Sequence, residues 1–207
     1  MKARRRRTNR LITSRATALA FSVTFFLSAG MANALSVQAH LAETSSGITV
    51  SVYPDDPPIS EVIKSLGNGM QAEVTFVIQV YRQPAGLVRL FGDRLVQEVR
   101  ITRDARRDVY SRQYLVTGTD RPVVRSQTVT DFSRSFFDLN SFSLPWSFLG
   151  KHASDGEVRP TYLMVRVLVR PVKLVSALAI MSILQLEPEI SSHWFRLPLP
   201  PHSEPGN

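Results

Sequence analysis

The run QAEVTFVIQVYR, from Gln71 to Arg82, predicts the central strand of the protein. In an extended backbone one side carries apolar residues, namely Val74, Phe76, Ile78 and Val80. This period of two is typical of a strand with one buried face. A second run, YLMVRVLVR at residues 162–170, repeats the pattern with Leu163, Val165, Val167 and Val169. The two runs predict the middle strands of a sheet.

Shorter segments of the same kind extend this sheet. Alternation predicts strands at residues 47–53, 94–103, 109–117, 121–130 and 192–197, with a charged loop at residues 104–108. Apolar residues at helical spacing predict two short helices, at residues 59–66 and 131–140. For the first helix Asp56 is the predicted N-cap, and Gly67-Asn68-Gly69 ends it. Residues 175–186 are apolar and fit either a helix or a strand.

Many short strands with only two short helices favour a mainly β fold, an antiparallel β-sandwich or curled sheet. The pattern leaves the strand order open. We expect a linker at residues 35–46, a single β-rich domain at residues 47–199, and a disordered proline-rich tail at residues 200–207.

The first 34 residues have the organisation of a secretory signal peptide. Residues 1–15 carry seven bases and no acid, residues 16–30 are uncharged and mostly apolar, and Ala32-Asn33-Ala34 places small residues where signal peptidase cleaves. We therefore expect export to the periplasm and cleavage after Ala34. The alternative is an inner-membrane anchor formed by an uncleaved N-terminal helix, because no charge lies between Arg15 and Glu43.

The composition behind this leader excludes several classes of protein. The whole chain has 25 Lys plus Arg against 17 Asp plus Glu, and removal of the seven leader bases leaves 18 against 17. A nucleic-acid-binding protein needs a basic surface, so that class loses its support. The chain has no cysteine, which excludes a lipid-anchored lipoprotein, disulfides, thiolate catalysis and zinc–thiolate sites.

The histidines and acids form no catalytic motif. His152 and His193 lie where the fold could fix them, but neither has a second ligand at metal spacing. We therefore predict no catalytic residue, no metal and no cofactor. A periplasmic hydrolase with a site assembled from dispersed acids and His193 stays as the alternative.

Two arginines in the second central strand are candidate binding residues. Arg166 and Arg170 share a face of that strand. If they faced inward they would need a carboxylate partner, for which Glu73 or Glu98 is available. If they faced solvent, their stems would lie over apolar neighbours.

An aromatic-rich segment, residues 132–148, supplies two more candidates, Phe137 and Trp146. Phe132, Phe136 and Leu139 share one helical stripe, while Phe137 points away from it. The segment either folds over an open end of the sandwich as core or leaves an apolar patch that binds a partner or a lipid-sized ligand.

The layout resembles the exported bacterial proteins grouped as domain of unknown function 4390. The resemblance lies in the helix ending at Leu66-Gly67-Asn68-Gly69, the strands EVTFVIQVYR, DRLVQEV and YLMVRV, the spacing of Asp108, Tyr110, Arg112 and Tyr114, and the late Trp194. It covers residues 48–199, and the run at residues 175–186 is longer than the family pattern. It implies an envelope protein with a signal peptide and assigns no functional residue. We expect a non-enzymatic module that binds an envelope protein or an apolar ligand, with membrane contact only through an uncleaved leader.

Overall fold

The computed structural model describes residues 35–83, 92–149, 161–173 and 189–199, which belong to one compact unit. Its helices are α1 (Ile59–Gly67) and α2 (Val129–Phe137). Its strands are β1 (Val37–Thr44), β2 (Gly47–Pro54), β3 (Gln71–Arg82), β4 (Arg94–Arg107), β5 (Tyr114–Gly118), β6 (Val124–Ser126), β7 (Leu139–Pro145), β8 (Thr161–Lys173), β9 (Ile190–Ser191) and β10 (Phe195–Pro198). The predictions for the leader, for residues 175–186 and for the tail at residues 200–207 lie outside the described residues.

The strands form two antiparallel sheets. The larger has the order β10-β8-β3-β4-β5-β6, with β9 also pairing with β8, and the smaller has the order β1-β2-β7. The predicted central strands β3 and β8 are neighbours, with Phe76 opposite Val167 and Ile78 opposite Val165. The fold class, mainly β with antiparallel sheets and two short helices, is confirmed.

One apolar core collects the inward faces of both sheets. The predicted inward residues of β3 and β8 have no exposed surface, and neither do Ile48, Val50 and Val52 of β2. The helices add Val62 and Leu66 from α1 and Phe132, Phe136 and Phe137 from α2. Full burial of each such side chain contributes about 1.5–3 kcal/mol.

Helix α1 begins at Ile59 as predicted, but its N-cap is not the predicted residue. The N-cap of α1 is Pro58, which makes no side-chain capping bond. Asp56 is therefore not the N-cap, and the neighbouring Asp55 instead accepts hydrogen bonds from Ser36 Oγ and Gln38 Nε2, both at 2.6 Å. Helix α1 ends as predicted, at Asn68 and Gly69. Gly69 has a positive φ of 77°.

Helix α2 starts two residues before its predicted beginning. Thr128 Oγ1 accepts from the backbone N–H of Asp131 at 3.1 Å and donates to Asp131 Oδ2 at 2.7 Å. This reciprocal arrangement resembles a capping box. The helix ends at Phe137, and the chain enters β7 at Leu139, which the sequence pattern did not predict.

The predicted linker is wrong, because residues 37–44 form strand β1. This strand pairs with β2 along its length, with Ala39 opposite Val52 and Leu41 opposite Val50. Its alternation is short, because Val37, Ala39 and Leu41 are the only apolar residues on one side before Glu43 takes the next position. Pairing with the strongly apolar β2 supplies the order that local sequence lacks.

The predicted loop at residues 104–108 is also wrong, since β4 continues to Arg107. Arg103 and Ala105 face the core while Asp104 faces outward, so the strand period continues through the charges. The chain turns at residues 108–113 instead, where Asp108 Oδ1 accepts from the backbone N–H of Tyr110 at 2.9 Å. Tyr110 is 99% exposed and not part of a strand face. The predicted strand at residues 121–130 reduces to β6, because α2 begins at Val129.

Candidate functional site

The face of the larger sheet that points away from the core carries both candidate arginines. On β8 they lie opposite residues of β3, Arg166 opposite Val77 and Arg170 opposite Glu73. Both side chains are half-buried. The inward interpretation is wrong, because Val165, Val167 and Val169 occupy the core-facing side of β8 and the two arginines alternate with them on the outer face.

Arg170 belongs to an ionic network on this face. Its Nη1 lies 3.2 Å from Glu73 Oε1, and its Nη2 lies 2.9 Å from Glu189 Oε2. Lys173 Nζ lies 2.6 Å from both Glu73 Oε2 and Asp104 Oδ1. Burial lowers the pKa of Lys173, but the bonds to Asp104 and Glu73 outweigh that effect and raise it overall. Of the two carboxylate partners considered from the sequence, Glu73 is therefore the one that Arg170 contacts. The ion pairs of Arg170 are made within the fold.

Glu98, the other carboxylate considered, does not reach either candidate. It accepts from Gln79 Nε2 and lies 2.6 Å from Arg100 Nε. The hydrogen bond from Gln79 and then that from Arg100 lower its pKa.

Arg166 is held beside an exposed tryptophan. Its Nη2 donates to Ser191 Oγ at 2.9 Å, and its guanidinium carbon lies 5.7 Å from the centre of the Trp194 ring. The ring lies within the range of a cation–π interaction, yet 38% of Trp194 is exposed. Among the described residues, the buried Nε of Arg166 has no acceptor.

A second cation–aromatic pair lies next to the first. The guanidinium carbon of Arg196 lies 3.7 Å from the centre of the Tyr162 ring, and Tyr162 stacks on Tyr81 at 5.4 Å. The Tyr162 hydroxyl donates to Asp93 Oδ2 at 2.6 Å. Burial, and then the hydrogen bond to Asp93, raise the pKa of Tyr162 to about 12. We call Tyr81, Tyr162, Arg166, Trp194 and Arg196 the arginine–aromatic surface.

The structure does not bring Phe137 and Trp146 to this surface. Phe137 is fully buried and packs edge-on against Phe136, with ring centres 4.8 Å apart. It is therefore a core residue, and its candidacy as a binding residue is wrong. Trp146 follows β7 and packs half-buried against the core. The aromatic segment folds as core because β7 returns its second half to the smaller sheet.

Sequence reasoning missed Arg103, whose side chain has no exposed surface. Its Nη2 and Nε donate to the two carboxylate oxygens of Asp120 at 2.8 and 3.2 Å. Its Nη1 donates to three carbonyl oxygens at the end of α2, those of Ser135, Phe136 and Asp138, at 3.1, 3.2 and 2.8 Å. Burial lowers the pKa of Arg103, and the bonds to Asp120 oppose that effect. The one feature of the sequence that indicates burial of Arg103 is its position two residues after Ile101, on the same side of the β4 strand.

Comparisons with protein-family models, curated proteins and solved structures found no match for the chain. Within residues 35–83, 92–149, 161–173 and 189–199, no three His, Asp or Glu side chains are grouped to hold a metal ion. No helix in those same ranges is long and apolar enough to cross a membrane.

Proposed function

We propose that the mature chain is a non-enzymatic binding module of the bacterial envelope that engages a protein partner through the arginine–aromatic surface. The observation that carries the proposal concerns Trp194. Its ring is partly exposed to solvent and at the same time lies beside the guanidinium of Arg166. Trp, Tyr and Arg are the residues that most often dominate protein–protein binding energy.

The surface is also fixed before any partner arrives. Ser191 fixes Arg166, and Tyr162 is held between Arg196 and Tyr81. Side chains that are already ordered lose little conformational entropy on binding, which favours affinity. The surface lies at the β10 edge of the larger sheet. Among the described residues, β10 is the end strand of that sheet, so a partner can approach it from the open side.

The envelope location rests on the leader and on the family resemblance. N-terminal sequencing of the protein from the periplasmic fraction should begin at Leu35. An intact chain that begins at Met1 in the inner membrane would instead support the anchored alternative.

Site-specific photocrosslinking in the host cell tests the binding surface. A photoreactive residue in place of Trp194 should give one discrete protein adduct, and Arg196→Glu should abolish it. The matched control replaces Tyr110, which is 99% exposed and lies in the β4–β5 turn. The same adduct from position 110, or none from position 194, would contradict a protein-binding role for this surface.

The hydrolase alternative is less well supported, because several acids that the structure describes are engaged in local contacts. Asp55 accepts from Ser36 and Gln38, Asp104 pairs with Lys173, and Asp108 accepts from its own turn. Ser192 next to His193 is also engaged, since its hydroxyl donates to the His193 carbonyl and accepts from Val167 N–H. An ester, glycoside or phosphate hydrolysis activity that His193→Ala abolishes would overturn the binding-module proposal.

A further inference from the structure

A polar cleft of about 610 Å³ lies between α2 and the β5–β6 hairpin. It is open to solvent, and its volume is within the range of about 300–1,000 Å³ that small-molecule sites occupy. Strand β6 forms one wall, and Asp131, Arg134 and Ser135 of α2 form the other. The cleft shares no residue with the arginine–aromatic surface.

Three arginines and one carboxylate line this cleft, Arg121, Arg125, Arg134 and Asp131. The carboxylate is already engaged, because Asp131 Oδ2 accepts from Thr128 Oγ1 at 2.7 Å in the helix cap. An anion in the cleft would therefore meet three cations and one carboxylate that already accepts a hydrogen bond from Thr128.

Two contacts within the domain fix the side chain of Arg121. Its Nε lies 3.1 Å from Asp120 Oδ2, and its Nη1 donates to the Ser135 carbonyl at 3.1 Å. Asp120 is itself fixed by the buried Arg103. These contacts leave Nη2 of Arg121 without a bond to a described residue, and Arg121 is one of the residues that line the cleft.

Arg125 and Arg134 are exposed, and neither guanidinium makes a hydrogen bond or ion pair with a described residue. Arg125 is near enough to Asp108 to contribute to the lowered pKa of that carboxyl, whose main cause is the hydrogen bond from Ser111. Burial raises the pKa of Asp138, and the charge of the nearby Arg134 is one of those that oppose this rise. Guanidinium groups bind carboxylate and phosphate in bidentate geometry, so both side chains have free capacity for an anion.

The remaining polar lining suits hydroxyl groups. Gln113, Gln127 and Asn140 contribute side-chain amides. An amide both donates and accepts hydrogen bonds, as a sugar hydroxyl does.

We propose that this cleft binds a small polyhydroxylated molecule that carries a phosphate or carboxylate group. The arginines bind the anionic group, and the amides bind the hydroxyls. This site is independent of the protein-binding surface proposed above.

Titration of the ¹⁵N-labelled mature chain with glucose 6-phosphate, glucuronate and glucose tests the site. We expect saturable shifts at residues of the cleft with glucose 6-phosphate, glucuronate or both, and the stronger of the two identifies the anionic group. Glucose should bind at least tenfold more weakly than the better acid. No saturation by either acid up to about 20 mM, weaker than the millimolar affinity of a minimal site, would overturn the proposal.

Paired variants separate a site from general charge attraction. Arg125→Gln with Arg134→Gln should weaken binding at least tenfold and leave the rest of the spectrum unchanged. Arg106→Gln removes an exposed arginine of β4 outside the cleft and should leave binding unchanged. An equal loss in the Arg106 variant, or binding of inorganic phosphate as tight as that of glucose 6-phosphate, would overturn a site built for a sugar acid or sugar phosphate.

Discussion

Arg103 and Asp120 form a bidentate ion pair inside the domain, with Arg103 Nη2 2.8 Å from Asp120 Oδ2 and both side chains almost without exposed surface. The pair joins β4 to the turn after β5. Through its Nη1, Arg103 also satisfies carbonyl groups that the end of α2 leaves without partners. A positive charge is favourable there because the carbonyl end of a helix dipole is negative.

We expect Arg103→Met to destabilise the fold by about 3–5 kcal/mol, because it breaks a buried pair, removes the donor to the carbonyls at the end of α2 and leaves Asp120 with only the ion pair to Arg121. Arg103→Lys keeps the charge but loses the bidentate geometry, so its loss should be smaller. Urea unfolding measures both. Arg106→Met, on the exposed part of β4, is the matched control and should change the free energy of unfolding by less than about 0.5 kcal/mol. A loss below about 1 kcal/mol for Arg103→Met would show that the pair is not a main support of the fold.

The ion pair also predicts the acid dependence of stability. Burial raises the pKa of Asp120, but the hydrogen bonds and charges of Arg103 and Arg121 outweigh it, so the pKa lies below the ordinary value of 3.8. A folded-state pKa below the unfolded one stabilises the fold above the unfolded value, and this stabilisation is lost as the pH falls through the folded value. The advantage of the wild type over Asp120→Asn in unfolding free energy should therefore shrink below a pH of about 4.

Asp138 supplies a control of opposite sign. Burial raises its pKa, with nearby arginines opposing the effect. Its charged form is therefore less favourable in the folded state, and wild type should gain relative to Asp138→Asn as the pH falls through the raised value. The same trend in both variants would contradict these assignments.

The central strands were predictable because dense alternation leaves one way to bury them. Val74, Phe76 and Ile78 face the core whichever strands pair with β3, so their inward direction follows from local sequence. The same reasoning placed Arg166 and Arg170 on one face. One of their partners, Glu73, could be predicted because it lies on the other central strand. Contacts of Trp194 and Glu189 with β8 could not, because no sequence pattern predicts which segments lie beside that strand.

Arg103 could not be recognised in the same way. A charge in a strand usually faces solvent, and burial of this one depends on an acid and on helix carbonyls that only the folded chain brings together. Phe137 was misplaced for a related reason. The helical stripe accounts for one packing surface, whereas Phe137 is buried in the same core through its edge-on contact with Phe136.

Phe76 tests the inward direction of β3. Its ring has no exposed surface and lies 5.1 Å from the guanidinium carbon of Arg103. Phe76→Ala should cost about 3–5 kcal/mol, as expected for a large core side chain. Phe195→Ala on β10 is the control, because Phe195 is 40% exposed, and its loss should stay below about 1 kcal/mol. Chemical denaturation of the two variants should therefore give clearly separated midpoints, and equal losses would contradict the assignment.

Gly47 tests the junction between β2 and β7. A Cβ atom at this position would lie 2.1 Å from the Leu144 carbonyl oxygen and 2.8 Å from the Pro145 Cα atom. Both contacts are with backbone, so the two strands would have to separate to admit a methyl group. Gly47→Ala should therefore destabilise the protein by about 1–3 kcal/mol, as overpacking does.

Gly67→Ala is the matched change, because a Cβ there meets nothing within 4 Å at the last residue of α1. Alanine is a better helix former than glycine by up to about 1 kcal/mol, so this variant should be unchanged or more stable. Thermal unfolding compares the two, and a Gly47→Ala variant as stable as wild type would mean that β2 and β7 approach less closely at this point.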